Sequence, residues 1–166
     1  MQTLSTTALR PSGDVSGAPL VCLRSTNERP VRTATPDEQF IDMLGAFRRT
    51  GGLARGHEVA SLLYTRAGLN VSTLARWMVE GEVVYLEWQH DTWFPMFQFS
   101  GQDLLTRRCV RQVLKEFDGV LDRWEIAQWF ACPSATLGLR SPADDMARNP
   151  DRVLEAARSF RYAVDA

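Results

Sequence analysis

Three prolines, at 133, 142 and 150, interrupt the stretch WFACPSATLGLRSPADDMARNPDRVLEAARSF (residues 129–160), whose two ends carry helical spacing. Proline offers no N–H and its ring crowds the turn before it, so no single helix can run through this stretch. The chain must end a helix near Ala131, turn, and restart twice. Both restarts share a grammar: Ser141-Pro142 and Asn149-Pro150 each set a capping side chain before a proline at the first helical position. In the gap, Gly138 can take a positive φ, and Arg140 is long enough to brace the turn by bonding helix-terminal carbonyls. The expectation is a group of short helices crossing steeply. The last begins at Pro150, with Val153, Leu154, Ala157 and Phe160 inward and Arg152, Glu155 and Arg158 outward.

Upstream, Thr35, Pro36 and Glu38 have the spacing of a capping box with proline at the first helical position, and Phe40, Leu44 and Phe47 fall on one face until Gly51-Gly52 stops the helix. GHEVASLLYTR predicts a second helix with Val59, Leu62 and Leu63 inward. NVSTLARWMVEGE predicts a third, opened by Asn70 or Ser72, burying Leu74 and one of Trp77 or Met78, and ended at Gly81. The period then falls to two. EVVYLEWQHDTWFPMFQF reads as strands Val83–Trp88 and Trp93–Phe99 around the tetrad Gln89, His90, Asp91, Thr92, with Pro95 at an edge or a bulge. Helical spacing returns with Val110, Val113, Leu114 and Phe117, followed by a helix capped at Asp122 and stopped before Pro133.

The fold class expected is mainly α with a β-hairpin. A winged-helix-like module over 35–103 would precede a small helical module over 107–166, and Ser-, Arg- and Pro-rich residues 1–34 would form a tail. The net charge of −1 excludes a strongly basic polyanion binder, so any DNA-contacting cations would have to be segregated on one face. No run of 18 apolar residues is present, which predicts no membrane span. Cysteines at 22, 109 and 132 form no Cys-x-x-Cys pair, which suggests neither a disulfide framework nor a zinc site and predicts a reduced, cytoplasmic chain.

No nucleophile, base or metal set stands at a catalytic spacing, and no phosphate loop or dinucleotide fingerprint is present. Asp144-Asp145 could be an acid/base pair. It also lies in a first helical turn, where carboxylates meet the positive end of the helix dipole. The chain is expected not to be an enzyme and to need no cofactor.

EVASLL followed by STLARWMVEGEV and a hairpin resembles the winged helix-turn-helix of excisionase and MerR-type proteins, in which the second helix faces a DNA groove. The resemblance implies DNA contact through Ser72, Thr73 and Arg76, with Arg48, Arg49, Arg55 and Arg66 as phosphate contacts. YTRAGLN stands where that family has a short turn, and Glu80, Glu82, Glu87 and Asp91 make the wing acidic.

WEIAQWF, PSATLGLRSPADDM and NPDRVLEAAR resemble the toxin-binding domain of the Xre/MbcA/ParS antitoxins. Trp129, Pro133, Leu137, Gly138, Arg140, Pro142, Asp144 and Val153 stand at motif positions. Leu139 and Asp145 depart from it, replacing a glycine and a leucine. This resemblance implies a cognate toxin as partner, with a RES-domain, NAD-consuming enzyme as one class, its active site covered by Arg140, Ser159, Arg161 and Tyr162. Operator DNA and a homodimer are further expected partners. The alternative is a stand-alone transcriptional regulator whose C-terminal helices only dimerise.

Overall fold

The computed structural model describes residues 35–165, which are mainly helical with one small antiparallel sheet. The expected tail of residues 1–34 lies outside them. Helix α1 (Pro36–Phe47) starts as its spacing predicts: Thr35 Oγ1 accepts from Glu38 N–H at 3.2 Å and Glu38 returns the bond to Thr35 N–H at 2.8 Å. Its buried face is Phe40, Met43 and Phe47. Leu44, expected inward, is exposed. Spacings of 3 then 4 and of 4 then 3 satisfy the same helical period, so only the packing partner decides between Met43 and Leu44.

A short strand that periodicity did not reveal follows. β1 (Leu53–Arg55) precedes α2 (Gly56–Ala67) and α3 (Val71–Val79), and after β2 (Leu86–Trp88) and β3 (Asp91–Pro95) the sheet order is β1-β3-β2. The strand carrying Pro95 is thus central rather than an edge. Pro95 ends it, paired only with Leu53 of β1, and a 3₁₀ turn follows over Met96–Gln98 in place of the expected strand continuation. The hairpin turn has two residues, Gln89 and His90, with φ of 46° and 67°. Trp88 pairs with Asp91 and Glu87 with Thr92, so the latter half of the expected tetrad is strand. YTRAGLN is accommodated locally. Tyr64–Ala67 complete α2, Gly68 turns left-handed with its N–H bonded to Leu63 O and Tyr64 O, and Asn70 caps α3 by accepting from Thr73 N–H.

Residues 83–85, expected to be strand, have none of its pairing, yet all three are buried. Their backbone is satisfied by a side chain. Fully buried Gln98 accepts from Val84 N–H at 2.7 Å and donates to Val84 O at 2.8 Å and to Pro95 O at 2.9 Å. Because Pro95 ends β3 and the chain coils at once, no strand mate lies opposite Val84, and the amide of Gln98 takes its place.

Helices α4 (Arg108–Glu116), α5 (Arg123–Ala131), α6 (Pro142–Asp145) and α7 (Pro150–Asp165) build the terminal part. Asp122 and Glu125 form a capping box on α5, and Ser141 caps α6. The larger core joins both halves of the chain: Met43, Phe47, Val84, Leu86 and Phe97 pack with residues of all four terminal helices. Aromatic rings trace the junction, from Phe47 to Phe97 (5.6 Å), Phe97 to Phe130 (4.8 Å), Trp129 to Phe117 (4.8 Å) and Phe117 to Phe160 (5.8 Å). A smaller core of Val59, Leu63, Leu74, Trp77, Val83, Tyr85, Phe94, Phe99 and Leu104 holds α2 and α3 against the sheet. Cys132 is disulfide-bonded, against the expectation of reduced thiols, whereas Cys109 is free. No described helix is long and apolar enough to cross a membrane.

Candidate partner-binding surfaces

The corner between α5 and α6 is rigidly built. Ser134 N–H donates to Arg140 O and Leu139 N–H to Ser134 O, both at 2.9 Å, so the turn closes on itself. Leu137 anchors it in the core. Two successive residues at the tip are left-handed, Gly138 at φ 68° and Leu139 at φ 63°. Glycine takes that conformation freely, but for leucine it costs about 1–2 kcal/mol. Leu139 is also 76% exposed.

Arg140 braces this corner, though not through carbonyls. Its Nη2 lies 3.0 Å from Oδ1 of Asp145, a carboxylate with no exposed surface. The same oxygen accepts from Asn149 Nδ2 at 2.9 Å, while Oδ2 has no partner among the described residues. Asp144 and Asp145 therefore differ: Asp144 keeps to the helix start, bonded with Ser141, and Asp145 is sealed inside. Arg152 Nη2 adds a bond to Thr136 O at 3.1 Å, which ties α7 to the corner.

The tail residues stand elsewhere. Tyr162 is twelve residues beyond Pro150, or about 18 Å along α7 at the helical rise, whereas Arg140 belongs to the corner that Arg152 ties to the start of that helix. Glu116, at the end of α4, anchors the region by pairing with Arg158 at 3.1 Å and Arg161 at 3.7 Å. Phe160 turns inward onto Phe117, whereas Ser159 is exposed and Tyr162 is 80% exposed. The final turns of α7 thus offer polar and aromatic groups on an anchored helix.

Of the residues expected to face DNA, Ser72, Thr73 and Arg76 lie together on α3, and the remaining arginines stand on other elements. Arg55 sits at the start of α2, pairing with Asp91 at 3.6 Å and lying over the Trp93 ring at 5.0 Å. Arg76 reaches toward Glu80 at 3.9 Å. Ser72 is exposed, and Thr73 is half-buried with its N–H taken by the Asn70 cap. Arg48 and Arg49 lie on the 3₁₀ turn after α1, and Arg66 near the end of α2. Ser72 and Arg76 form one exposed row of α3, and Val71, Ala75 and Val79 form a second beside it, Val79 being 89% exposed. Tyr64 of α2 is exposed too.

Leu139, Val71 and Val79 are the surface groups that sequence reasoning missed. Leu139 left a readable trace, since a bulky residue directly after Gly138 must itself accept the turn's second left-handed position. Val71 and Val79 were readable too, since the expected burial of Leu74 with Trp77 turns their side of α3 outward, but apolar residues there were not singled out.

A cleft of about 560 Å³ opens beside Arg107, Arg108, Cys109, Pro150 and Asp151. Burial, and secondarily the Asp151 carboxylate, push the Cys109 thiol up to about 11, and its Sγ–H donates to Pro150 O at 3.0 Å. The thiol is therefore protonated at neutral pH and a poor nucleophile. Iodoacetamide at pH 8 should leave Cys109 unmodified in the folded protein and label it in urea, as read by mass spectrometry. Because the folded value is raised, the stability contributed by this thiol is full below its ordinary value near 9 and is lost as pH rises through about 11. Among the described residues no cluster of three or more His, Cys, Asp or Glu could hold a metal ion. No family model matches the chain, and no curated protein or solved structure matches it either.

Proposed function

We propose that this chain is an antitoxin-like binding protein whose terminal helices occlude the active site of a partner toxin, with a RES-domain, NAD-consuming enzyme as the class the motif resemblance implies. The observation that carries this reading is the end of α7: a helix bound to Glu116 by two arginines projects Tyr162 into solvent. Tyrosine and arginine on a pre-ordered element supply contact area and hydrogen bonds at low entropic cost. Occlusion needs neither a reacting group nor a cofactor. A toxin made from an adjacent gene places the complex in the cytoplasm, where a disulfide such as that at Cys132 is uncommon.

The rival reading, a DNA-binding regulator, draws support from α2 and α3 packed on a sheet of order β1-β3-β2, an arrangement compatible with a winged helix-turn-helix. Against it as a groove reader, the exposed polar row of Ser72 and Arg76 on α3 runs beside an apolar one, Val71, Ala75 and Val79, and Arg76 has Glu80 beside it. Homodimerisation and operator binding are secondary parts of the proposal.

The test is co-expression with the product of the neighbouring open reading frame. That product should arrest growth alone and be neutralised by this protein; a harmless neighbour, or one equally toxic with and without this protein, overturns the reading. Deleting residues 162–166 then probes the mechanism. The cut spares Phe160 and its contact with Phe117, so stability should change by less than about 0.5 kcal/mol, while protection should be lost.

A further inference from the structure

We infer that Glu116 is a positioning residue for the partner-binding end: by holding Arg158 and Arg161 it fixes the projecting turns of α7, and with them Tyr162, in the orientation that meets the partner; this rests on the binding role proposed above. Helices α4 and α7 run parallel. Cys109 lies against Pro150 at their starts, Glu116 against Arg158 at the end of α4, and Phe117 against Phe160 just past it. α7 then continues to Asp165, beyond the end of its neighbour. Apolar packing stops at Phe160, because Tyr162, Ala163 and Val164 are all exposed. The last carbonyls of a helix have no partner within it, so a final turn of this kind frays unless something fixes it.

Glu116 gains nothing from its own helix. It is the last residue of α4, where the negative end of the helix dipole favours cations over carboxylates. Its partners come from α7. Oε1 accepts from Arg158 Nε at 3.1 Å and Oε2 lies 3.7 Å from Arg161 Nη1, so one carboxylate grips two residues three apart on one helix face. The arginine side chains are 54% and 42% exposed, and pairs so open to water add little to global stability. Their effect is local. Held at two points beside the last apolar contact, the end of α7 cannot swing or unwind freely, and Tyr162 is ordered before it binds, which lessens the freedom lost on association.

The experiment measures binding of the purified full chain to the co-expressed neighbouring protein for wild type, Glu116→Gln, Tyr162→Ala and the double variant. Glu116→Gln should unfold within about 2 °C of wild type, exchange its amide hydrogens faster over residues 161–164, and bind about 3- to 10-fold more weakly. Tyr162→Ala should bind about 10-fold more weakly or worse. Adding Glu116→Gln to Tyr162→Ala should weaken binding no further, since a residue that acts by orienting Tyr162 has no effect once that ring is gone. Additive losses overturn the positioning role in favour of an independent contact by Glu116. Undiminished or tighter binding by Glu116→Gln, or a large fall in its unfolding temperature, overturns it as well and leaves the antitoxin reading standing. Absence of wild-type binding overturns both.

Discussion

Replacing Gln98 by alanine should lower the unfolding free energy by about 3–5 kcal/mol, a large share of what a domain of this size possesses. The side chain has no exposed surface and makes three bonds to main-chain groups, two to Val84 and one to Pro95. Its removal strands an N–H and two carbonyls where water cannot readily reach them, and each orphaned group costs about 1–3 kcal/mol. A cavity adds to the cost. Gln98→Met separates the two contributions: it refills most of the volume while restoring no bond, so it should recover only the smaller, cavity part. Urea titration read by tryptophan fluorescence would give the midpoints. A Gln98→Ala midpoint within error of wild type would show that Val84 has another way to satisfy its backbone. The consequence extends beyond stability, because residues 83–85 join the two cores, Val84 packing with the terminal helices and Val83 and Tyr85 with α2 and α3.

Gln98 also marks the limit of what could be read from the chain. Helix starts were legible because their chemistry is local: Thr35 with Glu38, Asn70 with Thr73, Asp122 with Glu125 and Ser141 with Asp144 each close a bond within three residues. The inward stripe Val110, Val113, Leu114 and Phe117 was legible for the same reason. Strand limits were not, since they depend on what lies alongside. Alternation made Val83–Trp88 a strand, but only Leu86–Trp88 finds a mate, and β1 is too short to show a period. The tight turn at Gln89-His90 lacks the asparagine and glycine that usually announce positive φ. The modular division of the sequence likewise gives no warning that Met43 and Phe47 of α1 belong to the core of the terminal helices. At the candidate surface, Arg140 as a brace was legible from its length and position. Its partner was not, because Asp144 and Asp145 are chemically identical and only packing decides which is buried.

That choice of partner leads to the second large effect. Arg140→Ala should destabilise the protein by about 2–3 kcal/mol, because it leaves the sealed carboxylate of Asp145 with only the amide of Asn149 on Oδ1 and nothing on Oδ2. The figure is set below the value for a wholly buried pair because the guanidinium is itself partly in water and surrenders less on its removal. Asp145→Asn should be milder, since the site keeps its shape and an accepting oxygen while Arg140 can turn to solvent. The double variant Arg140→Met, Asp145→Leu should recover most of the loss or exceed wild-type stability, as apolar side chains of similar size commonly do in place of a buried ion pair. Thermal unfolding of the four proteins checks the series; a double variant as weak as Arg140→Ala would mean that the pair is needed for the corner's path rather than for its charge balance. If stability recovers while binding does not, the pair has been retained for the shape it imposes.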